Sequence, residues 1–112
     1  MRLHVMTTRV PAAHVKKIVF ACEAGMGSSR LGATQLEKRL KASGLSVRVE
    51  NHAVHQIPTD TQVVLCHQGL LELARQRAPW AVVLAFEVFL NDPAYERLAQ
   101  ALAHGSDIEA SP

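Results

Sequence analysis

Short apolar segments alternate with helix-patterned segments along this chain, and that alternation constrains its fold more than any other feature. VKKIVFA (15–21) is apolar and β-branched, as expected for a strand buried on both faces. QVVLCH (62–67) and the start of WAVVLAFEVF (80–89) have the same character, whereas LSVRVENH (45–52) alternates apolar and polar residues. Because doubly buried strands need helices on each side of the sheet, the pattern predicts an α/β domain with a mostly parallel sheet.

Three segments have helical patterns. In residues 28–43, leucines recur at steps of four and five with charged residues opposite, and in residues 68–78 an apolar pattern ends before a proline. Residues 91–104 start with Asn91 or Asp92 as a cap, followed by a proline suited to a first helical turn. The leucine stripe and the single tryptophan are predicted to lie in the core.

The chain is predicted to form one domain with short flanking tails. Residues 15–104 hold all of the patterned segments, so residues 1–14 and 105–112 are predicted to be tails. Residues 53–61 are short for a crossover between parallel strands, and Pro58 prevents a long helix there. We therefore expect a turn or a short helical piece in that connection.

The composition excludes several classes of protein. With 12 basic and 10 acidic side chains among 112 residues, the formal charge is +2, which gives no case for nucleic acid or an anionic membrane as a partner. No apolar run approaches the ~20 residues that a membrane-spanning helix needs, and the first 14 residues lack the apolar core of a secretion signal. We expect a cytoplasmic protein whose thiols are reduced.

The stretch VFACEAGMGSSRLGA (19–33) is the candidate for the chemistry. A strand ends at Cys22, and a glycine-rich turn then leads into a helix. A helix start presents unpaired backbone N–H groups and the positive end of the helix dipole, and glycines let those groups converge on a tetrahedral anion. The same positive field favours a thiolate over a thiol, and a thiolate facing a phosphate site is a nucleophile toward phosphorus.

The spacing in this stretch excludes several known phosphate loops. No Lys-Ser or Lys-Thr follows the glycines as in a Walker loop, and the third glycine of a dinucleotide fingerprint is missing. Low-molecular-weight tyrosine phosphatases and related arsenate reductases use C-x5-R, in which the arginine clamps the phosphate. Here Ser28 lies six residues after Cys22, and Arg30 lies eight after it. Asp92 is a formal candidate for a phosphatase acid, but it suits a helix cap better.

The segment ACEAGMGSSRLGA resembles the active-site loop of the IIB components of the bacterial phosphoenolpyruvate-dependent sugar phosphotransferase system, mannitol type, which reads ACDAGMGSSAMGA. NHAVHQIPTDTQVVLCHQGLLELA continues the likeness, and the whole resemblance covers residues 16 to about 104. It implies a single domain with a four-stranded parallel sheet, strand order 2-1-3-4, flanked by three helices. It also implies a phosphate loop like that of the low-molecular-weight phosphatases.

The resemblance also implies a phosphorelay. A phosphohistidine on a IIA protein would pass its phosphoryl group to Cys22, and Cys22 would pass it to mannitol or a similar sugar alcohol bound in the membrane component IIC. The domain would need no cofactor or metal, would be a monomer in isolation, and would lie at the membrane without inserting. The residues that match the phosphate-binding loop are Glu23, Ala24, Gly25, Met26, Gly27, Ser28 and Ser29.

Three departures from the family pattern bear on the site and its partners. Glu23 replaces an aspartate, Arg30 replaces a small residue, and Gln68–Gly69 replace an Arg-Asp pair. Arg30 could reach the phosphate or add charge to a docking surface. His67 ends the third strand, at the sheet edge expected to hold Cys22, and is an auxiliary candidate.

Several alternatives stay open at this point. The same phosphocysteine could serve a regulatory or sensor module. A phosphatase or arsenate reductase is a less favoured interpretation of the sequence. The chain could be a separate subunit or a domain of a longer protein. Cys66 is predicted to be a small buried residue, with a Cys22–Cys66 disulfide as a minority alternative. A metal site from His52, His55 and His67 has nothing in the sequence to fix its geometry.

Overall fold

The fold is described by a computed structural model that covers residues 8–23, 28–88 and 92–111. A 3₁₀ turn at Val54–Gln56 confirms the short helical piece predicted between the second and third strands of the sheet. The helices and strands, in chain order, are β1 (Arg9–Val10), β2 (Lys17–Cys22), α1 (Ser28–Ala42), β3 (Arg48–Ala53), β4 (Val63–His67), α2 (Leu71–Arg77), β5 (Val82–Phe86), α3 (Pro93–His104) and β6 (Ile108–Glu109).

The central sheet has four parallel strands in the order β3-β2-β4-β5. This is the predicted order 2-1-3-4, with β2 as the first strand of the sheet. Ala21 of β2 lies opposite Cys66 of β4, so the next residue of each strand, Cys22 and His67, reaches the same carboxyl edge. The predicted placement of those two residues at one edge is confirmed.

Helices cover both faces of the sheet, as the apolar strands predicted. On one face, α1 and α3 pack over a cluster that includes Ile18, Phe20, Leu36, Leu65, Phe86, Tyr95 and Leu98. On the other face, α2 packs over a cluster that includes Ala21, Val64, Cys66, Ala74 and Val83. Successive residues of β2 and β4 therefore alternate between the two clusters, as the pleat of a strand requires.

Helix α1 lies very close to the sheet at Gly32. A Cβ atom at that position would lie 2.7 Å from Cε2 of Phe20 and 3.2 Å from the hydroxyl of Tyr95. The Phe20 ring is fully buried and packs against Phe86, with ring centroids 5.8 Å apart, so it has no room to shift. Gly32 is needed because it brings the first turns of α1 down onto the aromatic cluster.

Replacing Gly32 with alanine is therefore expected to destabilise the protein. Overpacking costs about 1–3 kcal/mol, and the better helix propensity of alanine returns at most about 1 kcal/mol. Gly32→Ala should lower the free energy of unfolding in urea by about 1–2 kcal/mol. Thr34→Ala, at an exposed position of the same helix, is the matched control and should change it by less than about 0.5 kcal/mol. Equal stability of the two variants would contradict the close packing.

Parts of both segments that were predicted to be tails pair with each other or with the central domain. Residues Arg9–Val10 pair antiparallel with Ile108–Glu109, and the Ile108 side chain is buried in the core. Beyond this ribbon, the Ser111 N–H donates to the Val83 carbonyl at 3.0 Å, and the Ser111 hydroxyl accepts from the Ala85 N–H at 2.9 Å. The C-terminal residues are ordered because they satisfy the outer edge of β5 and bury an isoleucine.

Two residues predicted to be core are exposed. Leu31 is 59% exposed, because a step of five residues places it about 140° around the helix from Leu36. Trp80 is 38% exposed and lies just before β5, where its indole N–H donates to the Thr61 carbonyl at 3.1 Å. Of the helices in the described ranges, none is long and apolar enough to cross a membrane.

Candidate functional site

The candidate site lies where β2 ends and α1 begins. Cys22 is the last residue of β2 and is half-buried, Glu23 is exposed, and Ser28 and Ser29 open α1. Four residues of the predicted phosphate loop, Ala24, Gly25, Met26 and Gly27, lie outside the described residues. The structure therefore gives the thiol and the helix start, and the phosphate-binding role of residues 23–29 stays a prediction.

Strand alternation determines the face on which Cys22 lies. Ile18 and Phe20 point into the cluster under α1 and α3, and Ala21 points into the cluster under α2. By the same alternation, Cys22 lies on the α1–α3 face, the face from which the helix N-terminus approaches. A thiol at a strand end, beside the start of a 15-residue helix, is suited to carry an anionic group.

His67 shares both the edge and the face of Cys22. It is the last residue of β4. Val63 and Leu65 lie on the same face of that strand as His67, and both point into the α1–α3 cluster. The Nδ1 atom accepts a hydrogen bond from the Gly69 N–H at 3.1 Å. The ring stands edge-on to Phe86, with centroids 6.1 Å apart and an interplanar angle of 83°. Its orientation is thus held on two sides.

Cys66 has the opposite environment. Its side chain is fully buried under α2, and that burial raises the pKa of its thiol to about 12, against a weaker opposing effect of Arg75. This confirms the prediction that Cys66 is a small buried residue. Both cysteines are reduced, and the alternation that places them on opposite faces of the sheet leaves no route to the disulfide considered above.

The two thiols should differ sharply toward an alkylating agent. At pH 8, iodoacetamide should modify Cys22 in the folded protein and leave Cys66 untouched, because only a solvent-accessible thiolate reacts. Intact-mass spectrometry should show one adduct on the native protein and two after unfolding in guanidinium. Cys66→Ala should still take up one adduct when folded, and Cys22→Ala none. Rapid modification of Cys66 in the folded chain would contradict its burial.

Asp92 is a helix cap. One carboxylate oxygen accepts from the Ala94 N–H at 2.8 Å, and the other accepts from the N–H groups of Glu87 at 2.8 Å and Val88 at 3.1 Å. Burial opposes ionisation of this carboxyl, but the three donors outweigh it and the pKa is lowered. Asp92 is therefore ionised near neutral pH, which leaves it no proton to give as a phosphatase acid.

The Asp92 cap should stabilise the protein only while it is ionised. Because its pKa is lower in the folded chain, the contribution is complete above the unfolded value of about 3.9 and is lost as pH falls through the folded value below it. Asp92→Asn removes one acceptor oxygen and should cost about 1–2 kcal/mol at pH 7. That difference should shrink in urea titrations below about pH 4. Asp107→Asn, at an exposed position, should cost little at any pH, and a pH-independent cost at Asp92 would contradict the ionised cap.

The histidines considered for a metal site do not converge. The Nε2 atom of His52 lies 2.8 Å from a Glu50 oxygen, and Glu50 also pairs with Arg48 at 2.9 Å and Lys17 at 3.6 Å. The hydrogen bond with His52, together with the positive charges of Lys17 and Arg48, lowers the pKa of Glu50, although burial acts in the opposite direction. Among the described residues, no three His, Cys, Asp or Glu side chains are grouped to hold a metal ion.

Arg30 lies on the side of α1 that faces the edge strand β3. It is exposed and lines a groove of about 150 Å³ together with Thr34, Glu37, Val49 and Asn51.

The sequence analysis missed the partners of His67: Gly69 is two residues away, but Phe86 belongs to another strand. The short spacing from His67 to Gly69 was a readable signal, whereas the contact with Phe86 required the sheet register.

The chain matches the family model described as "PTS system, Lactose/Cellobiose specific IIB subunit" over residues 17–101. A match over most of the chain places it among the domains of the sugar phosphotransferase system. More particularly, the chain belongs to the IIB family of the sugar phosphotransferase system.

Curated relatives named mannitol-specific components match most of this chain. A "PTS system mannitol-specific EIICB component" of Geobacillus stearothermophilus is 45% identical over 94 residues, which is 84% of this chain and 20% of that protein. The protein of the same name in Bacillus subtilis is 40% identical over 88 residues, 79% of this chain and 18% of the relative. A "PTS system mannitol-specific EIICBA component" of Vibrio cholerae is 39% identical over 94 residues, 84% and 14%. The chain spans a fifth or less of these relatives.

Proposed function

We propose that this domain is a phosphocarrier that receives a phosphoryl group on Cys22 from a phosphohistidine of a IIA protein and passes it to a sugar alcohol. The observation that carries the proposal is the contrast between the two thiols: Cys22 is half-buried at the carboxyl end of β2, the strand that precedes α1, whereas Cys66 is fully buried. Membership of the IIB family supports the reaction.

The chemistry consists of two displacements at phosphorus. In the first, the Cys22 thiolate attacks, an S–P bond forms, and the N–P bond of the donor breaks, with the electron pair staying on the donor nitrogen. In the second, a hydroxyl of the sugar alcohol attacks and an O–P bond forms. The S–P bond breaks with its electron pair on the Cys22 sulfur, which regenerates the thiolate, and the hydroxyl proton is released to solvent. Backbone amides of residues 23–29 would stabilise the negative charge in both steps. Asp92, an ionised cap, takes no part.

We propose a sugar alcohol, mannitol or a similar one, as the final acceptor. The family model carries the words lactose and cellobiose, whereas the full-length relatives that match most of the chain are named for mannitol. The relatives have the stronger bearing, since a family model spans members of differing specificity. Arg30, exposed on α1, and His67, at the end of β4, would be auxiliary residues of the site.

The partners follow from the same reasoning. The donor would be a IIA domain and the acceptor site a sugar-loaded IIC transporter, so the domain would work in the cytoplasm at the membrane surface, monomeric when isolated. The names of the relatives join IIC and IIB in one chain, and some add IIA. In this arrangement Cys22 would meet its donor and its acceptor in turn.

Phosphoryl uptake by single-cysteine variants tests the proposal. With phosphorus-labelled IIA as donor, the wild-type protein and Cys66→Ser should take up one label, and Cys22→Ser should take up none. Cys66→Ser is the matched control because it changes the same atom at the buried site. Normal uptake by Cys22→Ser would overturn the proposal.

The second half of the relay needs the acceptor. Labelled protein incubated with membranes that contain a mannitol-type IIC should lose its label on addition of mannitol, and the label should appear as a sugar-alcohol phosphate. A label retained with every sugar alcohol tried, despite normal uptake, would leave the domain as a phosphorylated regulator rather than a carrier.

A further inference from the structure

His67 and Cys22 occupy equivalent positions on neighbouring strands. The parallel ladder between β2 and β4 pairs Ala21 with Cys66, and each of the two residues comes one step later. Neighbouring strands lie about 4.8 Å apart, and laterally adjacent residues point to the same face. The His67 imidazole and the Cys22 side chain therefore lie on the same face of neighbouring strands, at the same edge of the sheet.

The hydrogen bond from Gly69 determines which nitrogen of His67 carries the proton. Nδ1 accepts the Gly69 N–H at 3.1 Å, and an accepting ring nitrogen has no proton of its own. In the neutral ring the proton is therefore on Nε2, which makes Nε2 a donor. A Cβ atom at Gly69 would lie no closer than 3.4 Å to the ring, so the contact depends on the backbone N–H and not on the lack of a side chain.

Packing against an aromatic side chain fixes the orientation of the His67 ring. His67 stands edge-on to Phe86 at 6.1 Å. The Phe86 ring is itself packed against Phe20 at 5.8 Å and Tyr95 at 5.7 Å, in the buried cluster under α1 and α3. A histidine whose ring is fixed by both a backbone donor and a buried aromatic group is pre-organised for one hydrogen bond.

We infer that the Nε2–H of His67 donates a hydrogen bond to the phosphoryl group on Cys22, with Gly69 and Phe86 acting as positioning residues. This rests on the proposed function, because it requires a phosphocysteine. The phosphoryl oxygens are charged acceptors, so the bond stabilises the phosphorylated state relative to the free thiol. From the neighbouring strand β4, His67 would add one donor to the backbone amides of residues 23–29.

Two substitutions of His67 distinguish the roles of its two ring nitrogens. His67→Gln places an amide N–H near the position of Nε2, whereas His67→Asn places its amide near Nδ1, where it can still accept from Gly69 but cannot reach the phosphoryl group. In equilibrium mixtures with phosphorylated IIA, His67→Asn should lower the equilibrium constant for phosphorylation about tenfold, the factor given by one lost bond to a charged group. His67→Gln should stay within about threefold of the wild type, and Gly69→Ala should match it.

Ring nitrogen spectra of the unaltered protein give an independent readout. Two-bond proton–nitrogen correlation NMR should show His67 as the Nε2–H tautomer, and phosphorylation of Cys22 should shift its Nε2 resonance. Equal effects of the Asn and Gln substitutions, an Nδ1–H tautomer, or an Nε2 resonance unmoved by phosphorylation would overturn the inference. Those results with normal uptake on Cys22 would leave the proposed function standing, whereas no uptake on Cys22 would remove both.

Discussion

The parallel ladder between β2 and β4 is the constraint on which the rest of the structure depends. Its register, Ala21 opposite Cys66, brings Cys22 and His67 to the same carboxyl edge of the sheet, each one residue after the paired positions. The same pleat sends Cys66 to the other face, under α2. One backbone pairing thus places the Cys22 thiol at the sheet edge that holds His67 and puts the Cys66 thiol on the other face. A shift of the register by one residue would reverse the faces and place the wrong side chains at the edge.

The aromatic cluster under α1 contacts both the start of that helix and the ring of His67. Gly32 lets the first turns of α1 approach Phe20, and Phe20, Phe86 and Tyr95 pack against one another there. Phe86 also supports the ring of His67. The packing that sets the height of the helix start over the sheet is therefore shared with the packing that orients the histidine. A helix held at a fixed height can direct its N-terminal amides at one point, which a phosphoryl-binding site needs.

Much of this arrangement could be predicted from the sequence, and the reasons for the remainder are physical. Apolar β-branched segments predicted the buried parallel strands, whereas the phosphate loop predicted from the glycine-rich stretch after Cys22 stays a prediction. Two-residue strands have no periodicity to detect, so the pairing of Arg9–Val10 with Ile108–Glu109 was missed. Leu31 was misassigned because its spacing from Leu36 was taken for a helical stripe. The contact of His67 with Phe86 joins two strands through the sheet register, which no local pattern of residues encodes.

The most direct test of the account is to identify the atom that carries the phosphoryl group. The full chain, phosphorylated by IIA and digested under mild conditions, can be mapped by tandem mass spectrometry, with parallel samples exposed to acid to destroy phosphohistidine. We predict a single modified residue, Cys22, joined through sulfur and protected from alkylation in proportion to its phosphorylation. A phosphoryl group found on His67 or another histidine, with Cys22 still open to alkylation, would contradict it.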